Sequence, residues 1–269
     1  MTANDPKRTF RLQMLMRSSV AAGLVVIAAI VLNARGADLR VMSGGGAQGV
    51  LQALAPDFQT KTGARVHFDF AVVGVLQQKL MKGEKPDVVV LPLPILEAVE
   101  KAGAFPTRSR TIVGRIPIGV VVREGMDTPD IAQAEGVRKA LMNAHSVVFP
   151  DPNVTPTGKY LMAAFARMGI AEAMQPKITY KNAIDGGVAL VREGKIDLGL
   201  FLVTEILPVK GVRFVGALPP SLQGYVVYAA AVAAESNAPE VASQFLKLLL
   251  QPDVLSKWKA AGFELGSGM

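Results

Sequence analysis

The residues best placed for chemistry in this sequence are small ones. The run 39–49 reads Leu-Arg-Val-Met-Ser-Gly-Gly-Gly-Ala-Gln-Gly, and the residues that follow, 50–58, repeat apolar side chains at helical spacing. The pattern predicts a strand that enters a helix through a turn with almost no side chains. The first N–H groups of a helix are unpaired and lie at its positive end, so such a turn suits an anionic group. We therefore predict that this turn forms half of a ligand cleft, with the binding residues Ser43, Gly44, Gly45 and Gly46.

The same stretch also matches the dinucleotide-binding pattern. Gly44, Gly46 and Gly49 spell G-x-G-x-x-G after a strand, and Asp69 follows twenty positions later. However, Asp69 lies inside a strand between two phenylalanines, whereas the pattern places its acidic residue at the end of a strand. The N-terminal leader described below also argues against a free nicotinamide cofactor. We predict no cofactor.

Further candidate binding residues lie at predicted helix starts in the second half of the chain. Thr157 and Gly158 open one helical pattern, where Thr157 either caps the helix or faces an anion, with Lys159 nearby. The segment lacks the spacing of a phosphate loop, which argues against nucleotide hydrolysis. Asn182 and Ile184 precede another helical pattern and offer a side-chain amide and backbone N–H groups.

A threonine and a glutamate follow the apolar strand 198–202. Ligands bind at the carboxyl ends of such strands, which makes Thr204 a candidate binding residue. Glu205 either pairs with a buried cation or lies on the surface.

Several reaction classes are disfavoured by the residues that are missing. The chain has no cysteine, which excludes a thiol nucleophile, a disulfide framework and a lipid-modified cysteine anchor. Its two histidines, His67 and His145, stand without a spaced carboxylate cluster and do not indicate a metal site. The sparse aromatics form no stacking stripe for bases. We predict no metal, no catalytic residue and no nucleic-acid partner.

The N-terminus reads as a targeting segment. Four basic residues precede Val20–Leu32, thirteen residues of almost pure Ala, Val, Leu, Ile and Gly. That run is short for a membrane span of about 20 residues and suits the core of a signal peptide. Ala34 and Gly36 are small enough for a peptidase site before Ala37. We predict that residues 1–36 are a signal peptide and that the protein is periplasmic, with an uncleaved N-terminal anchor as the alternative.

Most of the positive charge belongs to this leader. Residues 1–36 hold five of the 29 basic residues and one of the 22 acidic ones, which leaves 24 and 21 in the body. The net charge falls from +7 for the whole chain to +3 for the body, without a cluster that would indicate nucleic-acid binding.

The body alternates apolar strand patterns with helical patterns. Most strand patterns are continuous apolar runs, which is typical of parallel strands covered on both faces. The predicted strands are 39–42, 65–70, 87–91, 116–123, 146–149, 178–180, 198–202, 213–215 and 225–233. The predicted helices are 50–62, 76–82, 94–102, 131–144, 159–168, 186–193 and 239–260. This order predicts an α/β protein built from doubly wound, mostly parallel sheets flanked by helices.

Two long apolar runs look like crossings between two lobes. They are 116–123 and 224–234, and they divide the body into three parts. We predict lobe 1 from residues 37–118 and 227–269, and lobe 2 from residues 119–226. A cleft between such lobes is where small ligands usually bind.

The mature chain resembles the type 2 periplasmic solute-binding proteins, in particular the molybdate-binding receptors of ABC importers. The resemblance rests on the order and spacing of short motifs: 39–46 before the first helix, Phe70-Ala71 with Leu76, Pro86-Asp87, Asp151-Pro152, Pro156-x-Gly158, Ala189-Leu-Val191, Asp197-x-Gly199, Pro252 and Gly262-Phe263. It implies the two-lobed fold, with each lobe a doubly wound sheet.

The resemblance also implies how a ligand would be held. Molybdate receptors hold a tetrahedral oxyanion with two lobe 1 hydroxyls, backbone amides and a lobe 2 tyrosine. The hydroxyl positions fall here on Gly46 and Val73, the latter beside Gly74, and the tyrosine position on Leu202. The amide positions fall on Thr157 and Ile184. Three lost donors, at about 1–3 kcal/mol each, would weaken molybdate binding and favour a larger, partly organic anion.

The resulting prediction is a periplasmic receptor, active as a monomer, that binds a small oxyanion or carboxylate and delivers it to a membrane permease of an ABC importer. The alternative is a periplasmic isomerase of a small carboxylic acid, similar to aconitate isomerase, on the same scaffold. An isomerase needs a base in the cleft, and Glu205 and Lys159 are the candidates.

Overall fold

The computed structural model describes residues 38–265. The predicted signal peptide, residues 1–36, lies outside this range. Within the described range, no helix is both long and apolar enough to span a membrane.

The first lobe starts with three parallel strands in the order β2-β1-β3, each followed by a helix. Strand β3 is buried over its whole length and β1 from Val41 onward, as expected for strands inside a covered parallel sheet. These elements are β1 (Asp38–Gly44), α1 (Gly45–Thr62), β2 (Arg65–Ala71), α2 (Val73–Met81), β3 (Val88–Pro92) and α3 (Leu93–Lys101).

Strand β1 meets helix α1 without an intervening turn. The strand runs through Gly44 and the helix begins at Gly45, where a turn over 43–46 was predicted. Gly44 has extended backbone angles, φ −69° and ψ 157°, and serves as the N-cap. The prediction of a turn was wrong because glycine can also continue a strand or begin a helix when the ladder and the packing favour it.

One long strand joins the two lobes. β4 (Thr107–Arg123) pairs over its first part, up to Pro117, with β9 (Tyr225–Ala233) in the lobe 1 sheet. From Ile118 onward it pairs with β7 (Leu198–Leu202) and β8 (Val212–Ala217) in the lobe 2 sheet. The chain therefore passes between the sheets inside one strand.

The second lobe repeats the pattern of the first. Its strands β7, β5 and β6 are parallel neighbours, and β4 lies antiparallel between β7 and β8. The remaining elements are α4 (Ala134–Asn143), β5 (Val147–Phe149), α5 (Pro156–Arg167), α6 (Ala171–Met174), a 3-10 turn (Gln175–Lys177), β6 (Ile178–Tyr180), a second 3-10 turn (Ala183–Asp185), α7 (Gly187–Arg192) and α8 (Val203–Ile206).

The chain then returns to the first sheet through β9, which lies antiparallel between β3 and β4. Two helices follow, α9 (Pro239–Leu248) and α10 (Pro252–Ala260), where one helix over 239–260 was predicted. Pro252 separates them because it lacks an N–H group and fits the first turn of a helix. Phe245 of α9 packs on Phe58 of α1 with ring centroids 5.1 Å apart.

The architecture is thus α/β with two lobes, as predicted from the sequence. The lobe boundaries at 118/119 and 226/227 stay a prediction.

Candidate functional site

A small cavity lies where the two lobes meet. Lobe 1 contributes the starts of α1 and α2, the end of β3, and β9; lobe 2 contributes the loop after β5, the start of α5, the second 3-10 turn and the β7–α8 junction. The volume of this cavity is about 40 Å³, and one water needs about 10–15 Å³. This cavity, called the inner cavity, therefore has room for a few waters or one small ligand group.

Backbone amides at three helix or 3-10 starts belong to residues that line the inner cavity. Val73 begins α2, Thr157 lies in the first turn of α5, and Ile184 lies in the second 3-10 turn. The N-caps of α2 and of the 3-10 turn give no side-chain hydrogen bond. The first N–H groups of such segments lack a partner within the segment, and at α2 and α5 the helix dipole favours negative charge. The arrangement suits an anion.

Glu205 is the acidic residue of the inner cavity. Its Oε2 accepts a hydrogen bond of 3.3 Å from the Leu202 backbone N–H, as in the second half of a capping box. Burial raises the pKa of the Glu205 carboxyl to about 7, and the Leu202 bond offsets only part of that rise. The carboxyl therefore keeps its proton to a higher pH than an exposed glutamate does.

Tyr228 of β9 brings a phenol to the same place. Burial, together with the neighbouring Glu205 carboxylate, raises the pKa of the phenol far above its ordinary value, so that it stays neutral. The backbone N–H of Gly46 approaches the phenol oxygen and partly offsets this rise. The neutral phenol keeps its hydrogen, which can donate to a ligand.

A second cavity, called the outer cavity, adjoins the inner one. Gly45, Ala183, Ile184 and Glu205 line both, so Glu205 stands at the boundary between them. The outer cavity has a volume of about 270 Å³ and adds polar residues, namely Gln48, Gln52 and Thr204. The Thr204 hydroxyl oxygen is buried and has no hydrogen-bond partner among residues 38–265.

The predicted binding residues fall into two groups. Half of them line the inner cavity: Gly45, Val73, Thr157, Asn182, Ile184 and Leu202. Thr204 lines the outer cavity. The other five line neither of these two cavities.

Two of the predicted glycines pack behind the inner cavity. A Cβ added at Gly44 or Gly46 would lie 2.8 or 2.9 Å from the Tyr228 hydroxyl oxygen. Neither position has room for a side chain, because the Tyr228 phenol fills the space.

Ser43, Gly74 and Gly158 use their polar groups within the protein. The Ser43 hydroxyl, fully buried, donates to the Val90 carbonyl at 3.0 Å and ties β1 to β3. The Gly158 amide donates to the N-cap hydroxyl of Thr155 at 3.1 Å. The structure does not bring Ser43 to either cavity.

The amide of Gly74 joins the lobes directly. It donates to the carbonyl of Val154, in the loop before α5, at 3.1 Å. A Cβ at Gly74 would lie 2.7 Å from the same carbonyl oxygen. The lobes are therefore in close contact beside the inner cavity.

The sequence did not predict Tyr228 as a site residue. For Glu205 it left two alternatives, pairing with a cation and a position on the surface. A signal for Tyr228 existed: it is a polar residue in the middle of the apolar run Tyr225–Ala233. Lys159, the other candidate base, lies outside both cavities and lines a separate interlobe groove beside Val154. Within residues 38–265 there is no cluster of three or more His, Cys, Asp or Glu side chains that could hold a metal ion.

Comparison with known proteins supplies a family context. A protein-family profile described as bacterial extracellular solute-binding protein matches residues 39–264. The chain is 27% identical over 254 residues to a Pseudomonas protein named aconitate isomerase, a match that covers 91% of this chain and 95% of that protein.

Two further relatives are molybdate-binding proteins. The chain is 23% identical over 217 residues to the molybdate-binding protein of Escherichia coli K12, which covers 80% of this chain and 84% of that protein. The fold of this chain is similar to that of the Azotobacter vinelandii periplasmic molybdate-binding protein, with a TM-score of 0.72 and 19% identity. That match covers 85% of this chain and all of the other.

Proposed function

Because the chain belongs to the family of bacterial extracellular solute-binding proteins, we propose that it is a periplasmic receptor of an ABC importer. In this proposal it closes its two lobes over a small anion in the inner cavity and presents the closed form to a membrane permease. The anion is an oxyanion or a small carboxylate, and the receptor acts as a monomer.

One observation carries the proposal: residues at three helix or 3-10 starts, drawn from both lobes, line one cavity between the lobes. Val73 comes from lobe 1, and Thr157 and Ile184 come from lobe 2. Because a ligand bound to all three amides links the lobes, its binding free energy favours the closed form. Hinge motion at the two interlobe connections, within β4 and in residues 218–224, would couple closure to binding.

The donors around the cavity bear on which anion fits. Gly46, Val73 and Leu202 bring no hydroxyl, whereas the Tyr228 phenol supplies one donor from lobe 1. The polar outer cavity offers Gln48, Gln52 and Thr204 to any part of the ligand that extends past Glu205. These features favour an anion with an organic part, and the relatives that bind molybdate support an oxyanion.

A thermal-shift screen tests the proposal. Molybdate, sulfate, phosphate, citrate and aconitate are added separately to the purified protein, with sodium chloride at matched ionic strength as the control. Saturation at 100 times Kd stabilises by about 2.7 kcal/mol, which raises Tm by several degrees. Failure of every anion to raise Tm beyond the chloride control would refute the receptor proposal.

A second candidate function is isomerisation of a small carboxylic acid. Two observations favour it: Glu205, with a pKa of about 7, lies in the inner cavity, and the chain is similar to a protein named aconitate isomerase. In this candidate Glu205 removes a proton from a carbon next to a carboxylate and returns it to another carbon of the ligand, so the double bond shifts without a co-reactant.

The test of this candidate is proton NMR of aconitate isomers incubated with the protein. Interconversion that is lost in the Glu205→Gln variant would establish the isomerase. A stabilised but unreacted ligand would favour the receptor.

A further inference from the structure

The carboxyl group of Glu205 occupies the place where an anion is proposed to bind. One oxygen, Oε2, is held by the Leu202 N–H, and the other, Oε1, lies 3.4 Å from the position of a Cβ on Gly45. Oε1 therefore points across the interlobe boundary towards the start of α1. Because Glu205 lines both cavities, a ligand that fills the inner cavity meets this oxygen.

Within residues 38–265, no opposite charge lies beside this carboxyl. The residues that pack near it from lobe 1 are Gly45 of α1 and Tyr228 of β9, and those from lobe 2 are Ala183 and Ile184 of the 3-10 turn. The outer cavity adds the uncharged side chains Gln48, Gln52 and Thr204. Among the described residues that line the two cavities, none is Lys, Arg or His, and Tyr228 is the other titratable group.

An anion beside an unpaired carboxylate would be repelled strongly in such an enclosed place. The repulsion disappears when one proton lies between the two groups, because one then donates a hydrogen bond to the other. The proton can arrive in two ways: on Glu205, or on the ligand. The three amides and the Tyr228 phenol are then free to neutralise the remaining ligand oxygens.

We propose that this site binds its anion together with one proton, shared between Glu205 and the ligand, and therefore selects anions that keep an ionisable proton. Hydrogenphosphate and partly protonated polycarboxylates belong to this class; sulfate and molybdate, the anions of stronger acids, do not. The inference rests on the proposed function, since it concerns the same cavity. Burial supports it by raising the pKa of Glu205 to about 7, which keeps a proton available near neutral pH.

The inference predicts opposite behaviour for two matched probes. Sulfate must take its proton from Glu205, so its affinity falls about tenfold per pH unit above that pKa, or about 30-fold between about pH 6 and about pH 8.5. Phosphate still carries a proton of its own at about pH 8.5, so its affinity should not fall over the same range. Calorimetric titration of the purified protein with each probe at both pH values measures this difference.

The variant Glu205→Gln removes the ionisable carboxyl and leaves the surrounding residues unchanged. Its amide has nearly the same shape and can still accept from the Leu202 N–H, so we expect the fold to be kept. Sulfate affinity should become independent of pH and rise about 30-fold at the higher pH, which removes the preference for phosphate. The control is Glu235→Gln, an exposed glutamate paired with Lys85 at 2.9 Å, which should change nothing.

Proton uptake gives a readout that needs no variant. Titration of sulfate at about pH 8 in two buffers of different ionisation enthalpy should show close to one proton taken up per anion. Sulfate that binds only to Glu205→Gln would support the inference. Sulfate affinity that is equal at both pH values, or equal pH dependence in both proteins, would overturn it. If no anion binds at either pH, the proposed function itself fails.

Discussion

The contact between Gly74 and Val154 predicts how a single methyl group would act on lobe closure. Gly74 lies in the first turn of α2, in lobe 1, and its amide donates to the Val154 carbonyl of lobe 2 at 3.1 Å. In Gly74→Ala the new Cβ would lie 2.7 Å from that oxygen and 3.0 Å from the Val154 Cβ. Because the obstructing atoms are partly backbone, the lobes themselves must move apart.

The size of the effect follows from two terms. Losing the interlobe hydrogen bond costs about 1 kcal/mol, and overpacking at the contact costs about 1–3 kcal/mol. Both act only on the closed form, so ligand affinity should fall by roughly 30-fold to 1000-fold, since 1.4 kcal/mol corresponds to tenfold. Within lobe 1, Gly74→Ala should stabilise helix α2 by up to about 1 kcal/mol, because alanine has a higher helix propensity than glycine.

The assay is calorimetric titration with whichever anion gives the largest thermal shift. The control is Val75→Ala, a substitution at an exposed position of the same helix α2. Scattering measurements with saturating ligand should show a larger radius of gyration for Gly74→Ala than for the control. Equal affinity in the two variants, or a Gly74→Ala protein that is less stable without ligand, would refute the reasoning.

Three further predictions concern buried polar groups. Because burial raises the pKa of Glu205 to about 7, its stabilising contribution is complete below about pH 4.5 and is lost as the pH rises through about 7. Over this pH range, the free energy of unfolding measured in urea should fall by roughly 3 kcal/mol relative to Glu205→Gln. Tyr228→Phe removes the oxygen that the Gly46 N–H approaches and should lower stability by about 1–3 kcal/mol, with weaker anion binding in titrations. Ser43→Ala should cost about 1–3 kcal/mol, because the Val90 carbonyl loses a buried donor, yet leave anion affinity within about twofold.

The alternating order of strands and helices could be predicted because buried parallel strands are continuous apolar runs. Strand β9 spans Tyr225–Ala233, the range predicted from its apolar run. The first half of β4 was missed because its exposed residues, Thr107 to Arg110, carry charged and polar side chains instead of an apolar run. Its partner strand decides the conformation there, and that pairing is a tertiary property.

The site was predictable only in part, for a related reason. Helix starts can be recognised from local sequence, so Thr157 and Ile184 were predicted as amide-bearing positions, whereas Val73 was predicted from the family resemblance as the place of a lost hydroxyl. All three line the inner cavity. Tyr228 reaches the same cavity from a strand more than 150 residues after Val73, and no local pattern records that approach. The pKa of Glu205 is raised because solvent is lost where the lobes meet, and sequence spacing does not encode that burial.

The central claim, that backbone amides of both lobes hold the anion, is tested most directly by amide NMR. Proton–nitrogen correlation spectra of the isotope-labelled protein are recorded with and without the anion that gives the largest thermal shift. The account predicts that the amide protons of Val73, Thr157 and Ile184 move downfield together with one affinity, whereas Gly158, already bonded to Thr155, moves little. Anion binding that leaves these three amides unchanged would contradict it.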